Sequence, residues 1–485
     1  MTRTAPSRRT VVVIGGSMAG MLAAAALAKW ANVTVIDRDA LPAQPTPRKN
    51  LPQGRHVHLL WSGGAAAIEK LLPGVMESIH ADGVHRVTLP TNMVALSPEG
   101  WFRRWRESHY MIVGSRDRLD WNIRKHVLAL PHVSLLDRTD VLALEGDSNR
   151  ITGVRVRTDG QTEARFIGAD LVVDAAGRSS RVPQWLTELG LDAPTERTVD
   201  AGLVYASRVF RAPTDLKDHP VVVNIQANPN EPGPGQSAVL VPIEDNRWLV
   251  TLSGTRGAEP TGNNEEFQPF ARSVRHPMVG QIIEHAEPLS DVALTRTTAN
   301  HRRFYEKTTM PEGLVVTGDA VAAFNPVYGH GMSVAAQSAV ALRTAVAKNG
   351  WHAPDLSNII QKAIAKPVSA AWSLSTAQDV FYPGATPNGP TLAERLGAGY
   401  VRRLLRASTG SGRVARAVTD VMTLERPAFP TLFTPAIVLS AILGPQKPQL
   451  TGPPLTADEK RALIAPSPAS GSEATELREA EALAV

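Results

Sequence analysis

A glycine-rich turn near the N-terminus and an acidic residue beyond it have the spacing of a dinucleotide-binding site. The apolar run 11–14 leads into six small or apolar residues, Gly15, Gly16, Ser17, Met18, Ala19 and Gly20. In such a turn the small residues let a pyrophosphate approach the backbone, and the last glycine lets a helix pack on a strand. Asp37, with Arg38 beside it, stands 22 residues after Gly15, close to where a carboxylate binds a ribose hydroxyl. These residues alone fit either NAD or FAD.

A second strand–turn pattern follows about 300 residues later and points to a flavin. The apolar run 314–317 ends at Gly318 and Asp319, where a carboxylate can bind a ribitol or ribose hydroxyl. A glycine-rich segment then leads into a predicted helix over 333–347, so backbone N–H groups and a helix dipole would face the ligand. Its residues are Pro326, Gly329, His330, Gly331 and Met332.

A third buried strand, in the run 170–180, ends in Asp174 and a turn of small residues. In this order the three motifs resemble the FAD-dependent monooxygenases of the para-hydroxybenzoate hydroxylase type. The resemblance implies that the first motif binds the ADP half of FAD, that Asp319 binds the ribityl chain, and that 326–332 lies against the flavin ring. Arg116 matches the arginine that reaches the phosphate region. The implied cofactor-binding residues are Gly15, Gly16, Ser17, Met18, Ala19, Gly20, Asp37, Arg38, Arg48, Arg116, Gly318, Asp319, Pro326, Gly329, Gly331 and Met332.

A narrower resemblance covers roughly residues 10 to 345. It is carried by the runs 48–58, 61–64, 114–116, 242–245 and 324–332. These look like the flavin epoxidases of polyether-ionophore biosynthesis, of the monensin and lasalocid pathway type. That family epoxidises several alkenes of a linear polyene polyketide before the ethers form. The loop 48–58, which holds Arg48, is expected to fold over the flavin or the cofactor phosphates.

The resemblance implies a reaction that needs no side-chain acid or base. NAD(P)H, or a partner flavin reductase, would supply the electrons, and O2 would give a flavin C4a-hydroperoxide that an alkene attacks. The protein would provide orientation and a dry cavity. The expected partners are therefore a linear polyene, O2, and a flavin reductase or an acyl carrier protein.

Three rival functions stay open at this stage. An aromatic or polyketide hydroxylase of the same fold would need a polar pocket with a base, because activating a phenol requires proton removal. An isoprenoid alkene reductase would share the nucleotide motifs and add hydrogen. A non-enzymatic nucleotide-binding module is disfavoured by the glycines at the expected flavin ring.

Several other residue runs could be taken for functional sites but have simpler structural explanations. His56 and His58 lack an evident third metal ligand, so no metal site is predicted. The basic and aromatic run 101–105 is better explained by a strand than by a nucleic-acid patch. It also lacks the Trp-x-Trp-x-Ile-Pro signature of flavin halogenases. The leucine- and arginine-rich run 392–405 is interpreted as a helix that packs on the rest of the protein with one side exposed to solvent, rather than as a membrane-surface helix.

The composition sets the scale of the elements that position these residues. With 485 residues the chain should form two or three structural units, and 43% hydrophobic with 20% charged residues excludes a disordered or fibrous chain. The 51 Lys and Arg against 46 Asp and Glu leave too small a surplus to indicate nucleic-acid binding. The lack of cysteine excludes disulfides and thiolate chemistry.

The predicted fold class is α/β. It combines an FAD-binding Rossmann-like domain of the glutathione-reductase type, an inserted antiparallel-sheet substrate domain and a helical C-terminal region. The expected boundaries are 1–85, 114–186 and 301–350 for the FAD-binding domain and 86–113 with 187–300 for the sheet domain. Residues 351–447 form the helical region, and 448–485 are expected to be a flexible tail. Neither a signal peptide nor a spanning helix is predicted, which favours a cytoplasmic protein.

Overall fold

The computed structural model describes residues 8–213, 221–296 and 298–464. Its strands are β1 (Arg9–Ile14), β2 (Ala31–Ile36), β3 (Leu59–Trp61), β4 (His85–Leu89), β5 (Met93–Ser97), β6 (Gly100–Trp101), β7 (His109–Val113), β8 (Val133–Leu136), β9 (Thr139–Gly146), β10 (Ile151–Thr158), β11 (Arg165–Gly168), β12 (Leu171–Asp174), β13 (Glu196–Val199), β14 (Val204–Arg211), β15 (Val222–Ile225), β16 (Gln236–Ile243), β17 (Arg247–Gly254), β18 (Ala293–Thr295), β19 (Asn300–Arg303), β20 (Leu314–Val316) and β21 (Ala322–Ala323).

The helices occupy the connections and most of the C-terminal third. They are α1 (Met18–Leu27), α2 (Ser62–Leu71), α3 (Val75–Ala81), α4 (Arg116–Leu128), α5 (Val182–Glu188), α6 (Asn264–Ser273), α7 (Met278–Ile283), α8 (Gly331–Asn349), α9 (Leu356–Asp379), α10 (Leu392–Ser408), α11 (Gly412–Met422), α12 (Ala428–Thr431), α13 (Pro435–Leu443) and α14 (Ala457–Ile464).

A five-stranded parallel sheet forms the N-terminal core, in the order β20-β12-β1-β2-β8. Strands β1, β12 and β20 each contain a continuous buried apolar run, as parallel sheets covered by helices require. Helix α1, made almost wholly of Ala, Leu and Met, is buried along its length and contacts α4 and α8. The sheet therefore brings the chain segments near residues 14, 174 and 317 to one edge.

A seven-stranded sheet forms the second core, in the order β18-β14-β17-β16-β15-β5-β6. Its pairings are antiparallel except for β15 with β5, which run parallel because β5 enters from a distant part of the chain. Helices α6 and α7 supply apolar side chains to the same core. A small sheet, β3-β7-β4, packs with apolar residues of β16 and β17 in a further cluster. The predicted α/β fold with an FAD-type domain, additional sheets and a helical C-terminal region is confirmed.

The segment after residue 447 differs from the flexible tail expected from its composition. Helix α14 lies at 457–464, its Leu463 is 4% exposed in the core of the seven-stranded sheet, and Arg104 pairs with Glu459. A buried apolar residue and a partly buried ion pair therefore hold in place a segment whose Pro- and Ala-rich sequence suggested a flexible tail. The rest of the expected tail, 465–485, lies outside the described residues. None of the described helices has both the length and the hydropathy to cross a bilayer.

Candidate cofactor and substrate site

The three motifs meet because they follow three neighbouring parallel strands. Gly15 comes after β1, Ala175 after β12 and Thr317 after β20. Backbone bonds join the turns, since the Ala175 N–H donates to Ile14 O (2.8 Å) and the Thr317 N–H donates to Asp174 O (2.8 Å). The carboxyl ends of parallel strands form the crevice where open α/β sheets bind ligands.

Close packing at the first turn admits only glycine. Gly15 has φ +102°, and a Cβ there would lie 2.5 Å from Ala175 O. A Cβ at Gly20 would lie 1.8 Å from Gly15 O, so the start of α1 rests directly on the turn. Ser17 stands before α1 and makes no capping bond with its side chain, which leaves the first N–H groups of the helix directed to the crevice.

Asp37 and Arg48 form one buried group at this turn. Asp37 Oδ2 accepts from the Gly16 N–H (2.7 Å) and from Arg48 Nη2 (3.1 Å), while Asp37 Oδ1 accepts from the Asp39 N–H (2.9 Å). Arg48 Nη1 donates to Ser17 Oγ (2.8 Å). Arg38 differs from them, because its side chain is exposed at the end of β2.

Asp319 lies in the crevice between two arginines. Gly318 has φ +64°, and a Cβ there would lie 2.5 Å from Ala19 Cβ, so this turn sits on the start of α1. Asp319 is accessible from the crevice, yet the surrounding protein desolvates it and raises the pKa of its carboxyl; the charges of Arg178 and Arg116 act in the opposite direction. Arg116 is 8% exposed at the start of α4 and pairs with Asp120 (2.9 Å).

The segment before α8 is folded against the small sheet and the C-terminal helices. Gly329 has φ +64°, and a Cβ there would lie 3.1 Å from Leu59, while the Trp61 indole N–H donates to Tyr328 O (3.2 Å). His330 Nε2 donates to Met422 O (3.0 Å), and burial lowers the pKa of the ring to about 4. A neutral ring donating from Nε2 leaves Nδ1 as a buried acceptor, and no partner for it exists among the described residues.

Asp379, at the end of α9, holds this segment through hydrogen bonds. Its Oδ2 accepts from the Asn325 and Asn300 side-chain amides, and its Oδ1 accepts from the Tyr328 hydroxyl, each at 2.7 Å. Asn325 Oδ1 in turn accepts from the Tyr205 hydroxyl (2.8 Å) and the Val327 N–H (3.1 Å). Burial raises the pKa of Asp379, and these hydrogen bonds partly offset that rise.

A cavity of about 190 Å³ lies beside this network. The seven-stranded sheet, the small sheet and helix α11 all contribute to its walls. Apolar side chains predominate, with hydroxyl and amide groups between them. Its lining includes Leu59, Trp61, Leu89, Met93, Phe102, Trp105, Met111, Val222, Asn224, Ser237, Val239, Ser253, Val327, Tyr328, Val418, Thr419 and Met422.

The crevice fits a flavin dinucleotide on several structural grounds. A Cβ at Gly331, the first residue of α8, would meet no atom within 4 Å, so open space faces the start of this 19-residue helix. Two buried polar atoms have no partner among the described residues: Arg48 Nε, in the side chain that bonds to Ser17, and His330 Nδ1, directly before α8. The exposed Asp319 carboxyl lies on the turn that packs against the start of α1.

The histidines considered as metal ligands have other partners. His56 Nδ1 contacts Ser207 Oγ (2.7 Å), and His58 Nδ1 contacts the His56 carbonyl (2.9 Å). Burial lowers the pKa of His56 to about 4 and that of His58 to about 3. Elsewhere in the described chain His109 Nε2 contacts Asp420 (2.9 Å) and ties β7 to α11.

Sequence reasoning missed the residues that hold the segment 326–332. Asp379, Asn300 and Tyr205 belong to no motif, and they come from α9, β19 and β14. The one available signal was an aspartate at the end of a helix whose inner face is mainly apolar but also carries Ser and Gln residues. That signal does not identify its partners, because they are distant in sequence.

An FAD-dependent oxidoreductase is the class of protein that this fold and crevice define. The family model described as "FAD binding domain" matches residues 8–356. The chain belongs to this family, within the para-hydroxybenzoate hydroxylase-like FAD monooxygenases.

Curated relatives agree with that membership. The chain is 35% identical over 387 residues to Protein Rv3254 of Mycobacterium tuberculosis, covering 77% of this chain and 81% of the relative. It is 28% identical over 356 residues to kynurenine 3-monooxygenase of Salinispora arenicola, covering 69% and 72%.

Solved structures share the fold at low identity. The p-nitrophenol 4-monooxygenase PnpA of Pseudomonas putida DLL-E4 aligns with a TM-score of 0.59 at 15% identity, covering 86% of this chain and 98% of that one. The flavin-dependent brominase Bmp2 aligns with a TM-score of 0.57 at 14% identity, covering 86% and 94%. At such identity these likenesses show the fold alone.

Proposed function

We propose that this FAD-dependent monooxygenase epoxidises alkenes of a linear polyene, a polyketide intermediate of polyether antibiotic biosynthesis. The observation that carries the proposal is a largely apolar cavity whose described lining offers no free base. Epoxidation needs an oriented alkene and a dry site, whereas hydroxylation of a phenol needs a group that removes a proton. The polyether assignment rests further on the sequence resemblance of residues 10 to 345.

The ionisable groups of the described lining are Arg103, Tyr328, Asp379 and Tyr382. Arg103 is a cation and cannot take a proton. Burial raises the pKa of both tyrosines, so both hydroxyls stay protonated at neutral pH. Both oxygens of Asp379 accept hydrogen bonds, three in all and each at 2.7 Å, so the carboxylate is held by neighbouring side chains.

The size of the cavity bears on how a long substrate would enter. About 190 Å³ is below the roughly 300–1,000 Å³ of sites that enclose a drug-sized ligand. A linear polyene would therefore place one alkene segment inside and extend through the opening. This arrangement suits a chain that presents successive alkenes, either free or attached to an acyl carrier protein.

The roles of the individual residues follow from their places in the crevice. Gly15, Gly20 and the start of α1 would hold the pyrophosphate, and Asp37 with Arg48 would flank the adenosine ribose. Asp319 would bind a hydroxyl of the ribityl chain, with Arg116 and Arg178 providing positive charge nearby. When bound, FAD supplies oxygen activation after reduction by NAD(P)H or by a partner reductase.

The first N–H groups of α8 would face the flavin ring, because Gly331 has no side chain to block them. Asn325 and Asp379 would keep the segment 326–332 in place. The side chains of Val327 and Tyr328 line the cavity, so the same segment would orient the alkene.

The test is aerobic turnover of a linear polyene bearing trisubstituted E-alkenes under labelled O2, with reduced FAD regenerated. We expect one labelled oxygen per modified alkene, present as an oxirane by mass spectrometry and NMR. Label in an alcohol beside an intact alkene would overturn epoxidation in favour of a hydroxylase. Two added hydrogens without label would identify the alkene reductase instead.

An aromatic or polyketide hydroxylase is the second candidate. It is favoured by the curated relative named kynurenine 3-monooxygenase, which is 28% identical. The protonated tyrosines of the cavity could orient a phenol or an aniline by hydrogen bonding. A base would then have to come from the substrate or the solvent, since the described lining supplies none.

A further inference from the structure

Apolar side chains are left in solvent on one part of the molecule. Seven of the ten large apolar side chains that are exposed in the described chain fall within residues 392–443. We call this set the α10–α13 apolar face; its members and exposures are Leu392 (74%), Leu396 (70%), Phe429 (73%), Phe433 (50%), Leu439 (57%), Ile442 (64%) and Leu443 (75%). Exposed apolar surface concentrated in this way marks an interaction site.

Helical spacing and aromatic contacts join these residues into one surface. Leu392, Leu396 and Tyr400 are separated by four residues each and share one side of α10. The Tyr400 ring stacks on the Phe433 ring with 5.2 Å between the ring centroids, and the Phe433 and Phe429 ring centroids are 5.8 Å apart.

Helix α13 extends the face. Its Leu439, Ile442 and Leu443 recur at spacings of three and four residues and point outward, while Ile437 and Ala441 pack inward on α10 and α11. With nine residues the helix is about 14 Å long, so it can lie along a surface but not cross a bilayer core of about 30 Å.

Positive charge accompanies the apolar face. Residues 391–447 contain eight Arg and Lys against three Asp and Glu. The acidic groups already have partners, since Glu394 pairs with Arg197, and Asp420 and Glu425 both lie near His109. Six arginines of this segment are exposed and form no salt bridge within the described part of the chain; these are Arg395, Arg403, Arg406, Arg413, Arg416 and Arg426.

We propose that the α10–α13 apolar face docks on an anionic membrane surface. Apolar side chains would enter the boundary between headgroups and acyl chains, and the arginines would contact lipid phosphates. A second copy of the chain fits less well, because a two-fold contact would oppose arginine to arginine with few carboxylates between them. The segment also carries α11, whose Val418, Thr419 and Met422 line the substrate cavity. Docking would thus bring a lipophilic substrate dissolved in the membrane close to the cavity.

The test is flotation of the purified full-length protein with vesicles of phosphatidylcholine alone or with about 30% phosphatidylglycerol. We expect flotation with the anionic vesicles, little with the neutral ones, and loss at about 0.5 M NaCl, where charges are screened. Leu439→Asp and Leu443→Asp should each weaken binding about tenfold or more. Arg403→Gln and Arg406→Gln should each weaken binding to anionic vesicles about fivefold.

Phe166→Asp is the matched control. Phe166 is 55% exposed on β11, away from the α10–α13 segment, and its replacement should leave flotation unchanged. Equal flotation of the Leu439→Asp variant and the native chain would overturn the proposal. The proposal would also be overturned if the native chain does not float and light scattering instead shows a dimer that Leu439→Asp dissociates. A second copy of the chain would then occupy the apolar face. Because the readout is lipid binding, the result does not depend on whether the enzyme epoxidises or hydroxylates.

Discussion

Removing the carboxylate of Asp379 should loosen the segment that lies before α8. In Asp379→Ala the amides of Asn300 and Asn325 and the hydroxyl of Tyr328 lose an acceptor that each meets at 2.7 Å. A buried donor left without an acceptor costs about 1–3 kcal/mol. Since Tyr328 and Asn325 can partly re-pair, we expect unfolding free energy to fall by about 4 kcal/mol.

The matched variant Asp379→Asn should separate the hydrogen bonds from the charge. Its one amide oxygen can accept from both asparagines, and the Tyr328 hydroxyl can turn to accept from the new NH2 group. We therefore expect a loss of only about 1 kcal/mol. Ser373→Ala, at an exposed position of α9, should stay within about 0.5 kcal/mol of the native chain and serves as the control.

The assays are urea denaturation and FAD titration followed by flavin fluorescence. In Asp379→Ala the affinity for FAD should fall about tenfold or more, because about 1.4 kcal/mol of lost anchoring corresponds to a factor of ten. If the alanine variant keeps both its stability and its FAD affinity within a factor of about two, Asp379 does not position the segment 326–332.

Three further predictions concern the crevice and its core. Asp319→Ala should weaken FAD binding about tenfold or more by removing a charged hydrogen-bond acceptor, and an unchanged affinity in the same titration would argue against its proposed role. Gly15→Ala should abolish FAD binding or folding, because its Cβ would lie 2.5 Å from a backbone carbonyl, whereas Gly397→Ala, where a Cβ meets nothing within 4 Å, should be harmless by thermal melting. Burial raises the pKa of Asp174 from 3.8 to about 6, so the native chain loses stability as pH rises through that window. Asp174→Asn lacks this loss, and its stability relative to the native chain should rise by about 2 kcal/mol between pH 4 and 7 in urea titrations.

The meeting of the motif turns at one crevice could be predicted because it depends on local spacing. The turn 15–20, Asp37 and Asp319 each follow a strand that the apolar runs identify, and parallel strands bring their carboxyl ends together. Arg48 entered through the family resemblance, and the structure brings its guanidinium to Ser17 and Asp37. Arg38 was included only as the neighbour of Asp37, and alternation along the strand end turns it to solvent.

The substrate side could not be read from the sequence in the same way. The network around Asp379 joins residues from four elements, and no spacing rule connects them. The run 431–444 is mainly apolar, with no spacing that separates a buried side of a helix from an exposed one. The structure divides it at Pro435 and leaves one side of α13 in solvent. Which side of α13 is buried depends on the elements that pack against it, and the local sequence carries no information about those elements.

The most direct test of the central claim compares an alkene with a phenol in the same cavity. Purified enzyme carrying reduced FAD would be mixed with labelled O2 and equal amounts of a short trisubstituted alkene and a phenol of similar size, and the products of one turnover would be analysed by mass spectrometry. The account predicts label in the oxirane of the alkene and none in the phenol, because the described cavity lining holds no free base. Labelled catechol with an unmodified alkene would contradict it.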